Sequence, residues 1–284
     1  MLELHHAQAA DRCCRYERIN MTNDAPEVIA KEQCEFFREN GYLYYGPLLS
    51  AEEQSELRGE IQRFIDGEYP QVSRQDLWPM EGEAPSPVGQ ERFLQLQTLW
   101  QLSETARKYA MHKKKSRIAA ALLGTDRVRL LSDMVLYKPP GRGKSRSVFW
   151  HQDYVSHPNS IPDVTSWMPL DTVKRENGCM QFIPGSHKLG EIAPESAHND
   201  EIYEKKGIDF STAVHVEMES GDVVFHHGMT VHRSDANTTD NPRRVYINRY
   251  MHPDSVYRGS DMSGARDWTA GSPFPEDTYP YMPT

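Results

Sequence analysis

No stretch of the 284-residue sequence is apolar for long enough to cross a bilayer, and its start, around His5, His6 and Asp11, lacks the apolar core of a secretory signal. The expectation is a cytoplasmic protein with no membrane partner. Cysteine is scarce: Cys13, Cys14, Cys34 and Cys179 form no pair at zinc-site spacing, and without export they are expected as free thiols. Positive charge is short as well, 32 Lys and Arg against 41 Asp and Glu, for a formal net charge of -9. That balance argues against a nucleic-acid partner, and the one compact basic run, Lys113-Lys114-Lys115, is expected to coat the solvated face of a helix. Internal repeats and low-complexity tracts are absent too, which excludes a solenoid.

What remains is a chain that can bury a core, since hydrophobic residues make up 38% of it and charged residues 26%. Residues 1–25 show no sustained periodicity and read as a loose tail. Residues 26–252 read as one domain and residues 253–284, rich in Pro, Gly, Ser and Tyr, as an irregular wrapping segment. Nothing in the pattern indicates an oligomeric state.

Helical signals come first. Val28, Ile29, Phe36 and Phe37 share one face of a helix over Glu27 to Asn40 that Gly41 should stop, and a short strand, Tyr42 to Tyr45, should follow. Ser50 and Glu53 make a capping box ahead of Leu57, Ile61, Phe64 and Ile65 at helical spacing. The proline-rich stretch 67–92 reads as a long loop, and helical pattern returns between about Leu102 and Leu123. After Gly124 the texture turns to short β-rich runs: Val128 to Tyr137, Val148 to Gln152, Val164 to Leu170, Met180 to Ile183, Ala213 to Met218, Asp222 to His226 and Arg243 to Met251. Strands at this spacing predict a mainly β fold, a jelly roll over about residues 125–252 with helices packed outside it.

Two histidines and one carboxylate on one face of an iron(II) ion leave positions open for a co-substrate and dioxygen. His151 and Asp153, two residues apart, can converge on such an ion from one strand end. His198-Asn199-Asp200 and His252-Pro253-Asp254 match the same spacing, so the motif alone selects nothing. Only His151 follows a hydrophobic strand, Val148-Phe149-Trp150, and has a plausible third ligand downstream in His232, with His226 and His227 as rivals. A co-substrate that is a dicarboxylate needs a fixed cation, which a bidentate Arg supplies. Arg243 heads a strand eleven residues after His232, and Ser234 could add a hydroxyl; Arg244 is the rival, but neighbours on a strand face opposite ways.

Trp150-His151-Gln152-Asp153, the stretch Asn177 to His187, and Gly221-Asp222 through His232 and Ser234 to Arg243 together resemble the phytanoyl-CoA dioxygenase family over roughly residues 28–252. The resemblance implies a double-stranded β-helix (jelly roll, cupin-like) and an iron(II)- and 2-oxoglutarate-dependent dioxygenase. It implies O2 as oxidant, release of succinate and carbon dioxide, and oxidation, most simply hydroxylation, of a small-molecule substrate. It further implies His151, Asp153 and His232 as metal ligands, Arg243 and Ser234 on the far carboxylate of 2-oxoglutarate, and Trp167 as a wall of that pocket. Two other readings stay open: a cupin-like metal hydrolase or isomerase using His215, Glu217 and His226, and a binding protein without catalysis.

Overall fold

The computed structural model describes residues 28–76, 93–141, 145–192, 200–259 and 268–283. The expected tail, most of the loop up to residue 92, and His198 lie outside them. Helix α1 (Lys31–Asn40) ends on Gly41 at φ 78°, a left-handed conformation that favours glycine, and turns directly into β1 (Tyr42–Pro47). Helix α2 (Ala51–Ile65) starts at the expected capping box, with Ser50 accepting from the Glu53 amide and Glu53 accepting from the Ser50 amide. Such a cap contributes about 1 kcal/mol.

The stretch read as one long loop contains β2 (Ser73–Asp76), which pairs with β3 (Leu94–Gln97). The stretch read as one helix is two, α3 (Glu104–Ala110) and α4 (Lys113–Leu123). The break falls at Met111 and His112, where the His112 side chain caps α4 by accepting from the Lys115 amide. Beyond Gly124 come β4 (Arg129–Lys138), β5 (Val148–His151), β6 (Val164–Pro169), β7 (Met180–Phe182), α5 (Asp200–Lys205), β8 (Val214–Val216), β9 (Asp222–His227), β10 (His232–Ser234) and β11 (Arg243–Met251).

All pairings between these strands are antiparallel. One sheet has the order β1-β9-β6-β11-β4-β3-β2 and the other β5-β10-β7-β8, the two layers of a jelly roll. Alternation along β11 assigns its two faces. Val245 and Ile247 pack between the sheets with Met134, Trp167, Met180 and Phe182. Tyr246 and Tyr250 pack on the other side, against Ile61, Phe64, Tyr109 and Ile118 of the helices. Each such apolar side chain stabilises the fold by about 1.5–3 kcal/mol on burial.

The basic run departs from expectation. Lys113 and Lys114 are exposed, but Lys115 is 1% exposed beneath the large sheet, its ammonium bonded to the Asn248 amide oxygen. Lys115, Ser116, Ile118, Ala119 and Leu122 form the buried face of α4, a helical repeat that includes the third lysine. The C-terminal segment wraps the barrel end without regular strands, held by bonds such as Leu130 N to Pro280 O.

Candidate active site

The site forms where β5 meets β10. Cross-strand register places His232 opposite His151, with their rings 4.1 Å apart. β5 ends at His151 and the chain enters a 3-10 turn that begins at Asp153, so the carboxylate comes from a turn rather than a strand. Gln152 between them points the other way, buried, donating to the carbonyls of Gly190 (2.9 Å) and Met229 (2.7 Å) and accepting from the Ile192 amide (2.7 Å). That three-point tether fixes the direction in which its two neighbours project.

His151, Asp153 and His232 offer ligand atoms that all lie within 4.8 Å of one another, the only such group of three among the described residues. Hydrogen bonding sets their tautomers. Nδ1 of His151 lies 2.8 Å from the Phe149 carbonyl and Nδ1 of His232 2.8 Å from the Thr230 carbonyl. A carbonyl only accepts, so each Nδ1 carries the proton and each Nε2 keeps its lone pair. His226 has the opposite arrangement: its Nε2 lies 3.1 Å from Asp153 Oδ2, and a carboxylate accepts, so that nitrogen carries the proton and cannot ligate. His227 faces away, 5.2 Å ring to ring from His187, whose Nε2 donates to the Arg38 carbonyl.

Both oxygens of Asp153 are held. Oδ2 accepts from Thr165 (3.1 Å) and His226, and Oδ1 lies 3.2 Å from Arg249 Nη2 and 3.7 Å from His151 Nε2. Burial alone would raise this carboxyl, but Arg249, the His226 bond and the imidazoles outweigh it and hold it well below the usual carboxylate range. Burial lowers both His151 and His232, His232 strongly, with repulsion from the neighbouring imidazoles adding to it. The result at neutral pH is two neutral imidazoles and one carboxylate, the protonation state that a divalent cation requires.

A second polar centre lies behind this one. Arg243 is wholly buried, its guanidinium carbon 5.5 Å from the Trp167 ring centroid, and none of its three nitrogens has a hydrogen-bond partner among the described residues. Register on β4 and β11 sets Lys138 directly opposite it. Lys138 is fully buried too, donating to Ser234 Oγ (2.9 Å), the Ser234 carbonyl and the Asp235 carbonyl. Burial and the Arg243 charge lower its pKa well below the lysine range. That is the response expected of a lysine buried opposite a fixed guanidinium, and it leaves Arg243 as the cation of this centre. An unpartnered buried fork is what a carboxylate would fill, so the residues present fit the far carboxylate of 2-oxoglutarate.

Arg244 is excluded from this centre. It faces the helices and forms a fork on Asp171, with Nε to Oδ2 2.9 Å and Nη2 to Oδ1 2.7 Å. Elsewhere, His215 approaches Cys179 and Glu217 accepts from the Arg175 amide, so the alternative set with His226 does not converge. His252 and Asp254 form only a loose pair at 3.8 Å. Trp167 and Ser234 line a cavity of about 520 Å³ that also exposes His151, Asp153 and His232. Thr165, Lys138 and Arg249 were not singled out from sequence. For Arg249 and Lys138 a signal existed: both fall in step with Arg243 or opposite it on strands whose alternation was legible.

Comparison with known proteins agrees with this geometry. A profile of the phytanoyl-CoA dioxygenase (PhyH) family matches residues 37–245. The peroxisomal phytanoyl-CoA dioxygenase of Rattus norvegicus is 27% identical over 266 residues, spanning 88% of this chain and 76% of the relative. Among solved structures, the non-haem α-ketoglutarate-dependent epimerase SnoN from nogalamycin biosynthesis superposes with a TM-score of 0.70 at 27% identity, covering 88% of this chain and 97% of that one. The non-haem α-ketoglutarate-dependent carbocyclase SnoK of the same biosynthesis gives 0.72 at 26% identity, covering 90% and 97%. SnoN has also been solved in complex with Fe3+, α-ketoglutarate and nogalamycin RO.

Proposed function

The chain belongs to the phytanoyl-CoA dioxygenase family and is a non-haem iron, 2-oxoglutarate-dependent oxygenase, and from that premise we propose which residues run its reaction and what it produces. His151, Asp153 and His232 hold the iron. Arg243, with Lys138 and Ser234 beside it, holds the far carboxylate of 2-oxoglutarate against the Trp167 ring. The reaction hydroxylates a small-molecule metabolite and releases succinate and carbon dioxide.

One observation carries the assignment: two bare Nε2 atoms and a carboxylate converge on one point, while a buried guanidinium with no hydrogen-bond partner among the described residues lies behind them. Bound iron and 2-oxoglutarate supply dioxygen activation and the oxidising equivalents. The chain supplies the rest. The carbonyls of Phe149 and Thr230 fix the two imidazole tautomers, and Thr165 and His226 stop Asp153 from rotating. Trp167, Met180 and Ile247 keep the inner wall apolar, which strengthens each charged contact made there.

SnoN and SnoK are named as an epimerase and a carbocyclase, so family and fold leave the outcome at the substrate carbon to its placement. Succinate formation with iron(II), ascorbate and 2-oxoglutarate, without added substrate, tests the assignment. Slow turnover is expected in the unaltered protein and none in Asp153→Ala; unchanged turnover in that variant would defeat the ligand set. A metabolite screen by mass spectrometry then tests hydroxylation, which requires a product heavier by one oxygen. A product lacking two hydrogens replaces hydroxylation with desaturation or ring closure. Among the described residues no helix is long and apolar enough to cross a membrane; the cytoplasmic location expected from the sequence is kept as a proposal, with fractionation as its test.

A further inference from the structure

Arg249 has no role in the assignments above. It stands on the cavity wall on the same face of β11 as Arg243 and Ile247, with its side chain 15% exposed. Nη2 contacts Asp153 Oδ1, its only ion pair among the described residues. Nη1 has weak partners, the Met134 sulfur at 3.2 Å and Ser132 Oγ at 3.5 Å, and Nε is buried with none.

Loading the site changes this balance. Oδ1 is the carboxylate oxygen nearer the bare His151 nitrogen, because Oδ2 is committed to Thr165 and His226. The oxygen that Arg249 contacts is therefore the one that would be offered to a metal. A divalent cation there would repel the guanidinium and share the one carboxylate with which it is ion-paired. Among the described residues no other carboxylate is hydrogen-bonded or ion-paired to Arg249; the buried Asp163 feels its charge only at longer range. Asp163 spends Oδ1 on His157 and Asn159, and Asp133 accepts from the Trp100 amide and the Tyr246 hydroxyl on the helix side of the sheet. The co-substrate's far carboxylate would be met by Arg243, whose three nitrogens have no hydrogen-bond partner among the described residues. The loaded enzyme would keep a largely buried guanidinium at its substrate cavity, with Nε unpartnered among the described residues and its one direct ion pair shared with the metal, an arrangement that a ligand carboxylate relieves.

We propose that the substrate is a carboxylic acid and that Arg249 binds its carboxylate beside the metal, a proposal that rests on the iron and 2-oxoglutarate reading. The edge that becomes available is Nε with Nη2, a side-on fork whose two donors match the two oxygens of one carboxylate. The remaining wall suits an acid with an apolar body: Trp100, Leu131 and Phe149 line the cavity, Phe149 half-exposed at 50%, with the Gln95 and Gln97 amides between. A cavity of about 520 Å³ holds a small metabolite.

The test uses anaerobic protein loaded with iron(II) and 2-oxoglutarate and titrated with matched pairs: 3-phenylpropionate against 3-phenylpropionamide, and hexanoate against hexanamide. Binding is read from the visible absorption of the iron–2-oxoglutarate complex and by calorimetry, with no turnover involved. Acids are expected to bind about tenfold or more tightly than their amides, a preference lost in Arg249→Met and kept in Arg249→Lys. Equal binding of acid and amide, no binding by either acid, or a preference that survives in Arg249→Met overturns the proposal. Failure of the absorption to form sinks the functional reading and this proposal with it; normal absorption without acid preference sinks this proposal alone.

Discussion

The Arg243 guanidinium lies 5.5 Å from the Trp167 ring centroid, wholly buried, with no hydrogen bond among the described residues. Burial pulls its pKa down to about 9, which still leaves it a cation at neutral pH. A charge held this way costs stability in the free protein and contributes binding energy once an anion arrives.

Arg243→Met is therefore expected to move two properties in opposite directions. Affinity for 2-oxoglutarate should fall by about a hundredfold or more, the cost of losing a buried charge-assisted fork. Unfolding free energy without ligand should rise, on the order of 1–3 kcal/mol, because an unanswered cation has gone. Calorimetric titration and denaturant melts of the free protein measure the two; a 2-oxoglutarate affinity within threefold of the parent would refute the assignment.

Asp153→Ala removes the shared acceptor of Arg249, His226 and Thr165. Iron(II) affinity should become immeasurable, and the free protein should lose about 3 kcal/mol because a guanidinium and an imidazole are left facing each other. Thermal melts and anaerobic iron titration check both. Retained tight iron binding would move the metal site elsewhere.

In the proposed site His226 would act on the metal only through its Nε2 donation to Asp153. His226→Phe should weaken iron binding about 10- to 100-fold, whereas His226→Gln, which keeps a donor, should stay near the parent. Equal effects of the two substitutions would assign His226 to packing, and a complete loss in both would make it a ligand. Anaerobic iron titration of the purified variants distinguishes these outcomes.

Lys115 gives stability a pH dependence. Its ammonium, ordinarily titrating at 10.5, is pulled down to about 7 by burial, with Asp133 resisting. Between those values the unfolded chain binds the proton and the folded chain has released it, so the unfolded state carries more protons and stability rises with pH. From pH 7 to 8.5 the gain should be about 1–2 kcal/mol, at roughly 1.4 kcal/mol per pH unit for one proton. Lys115→Met should flatten that rise in denaturant melts. An unchanged slope would mean that Lys115 keeps its proton in the fold.

Local chemistry wrote much of this protein into its sequence. Gly41 and Gly124 end helices because only a residue without a side chain adopts their left-handed turns at no cost, and Ser50 with Glu53 starts one because each answers the other's amide. Period-two alternation placed Arg243 and Arg244 on opposite faces before any coordinates. The same reasoning ran on past His112, where apolar spacing continues but the backbone restarts, and took Lys115 for a surface residue.

Pairing between distant strands decided the rest. The His-x-Asp spacing occurs three times, and of the two pairs that lie wholly among the described residues only His151 with Asp153 has a third ligand atom beside it, because register sets His232 opposite His151. Which imidazole nitrogen is bare depends on carbonyls at Phe149 and Thr230 and on a carboxylate 73 residues from His226. Arg249 meets Asp153 across 96 residues of chain. Spacing along a chain fixes where a side chain points relative to its neighbours; which charge it meets there depends on the sheet that closes over it, and that is set by packing summed over the whole core.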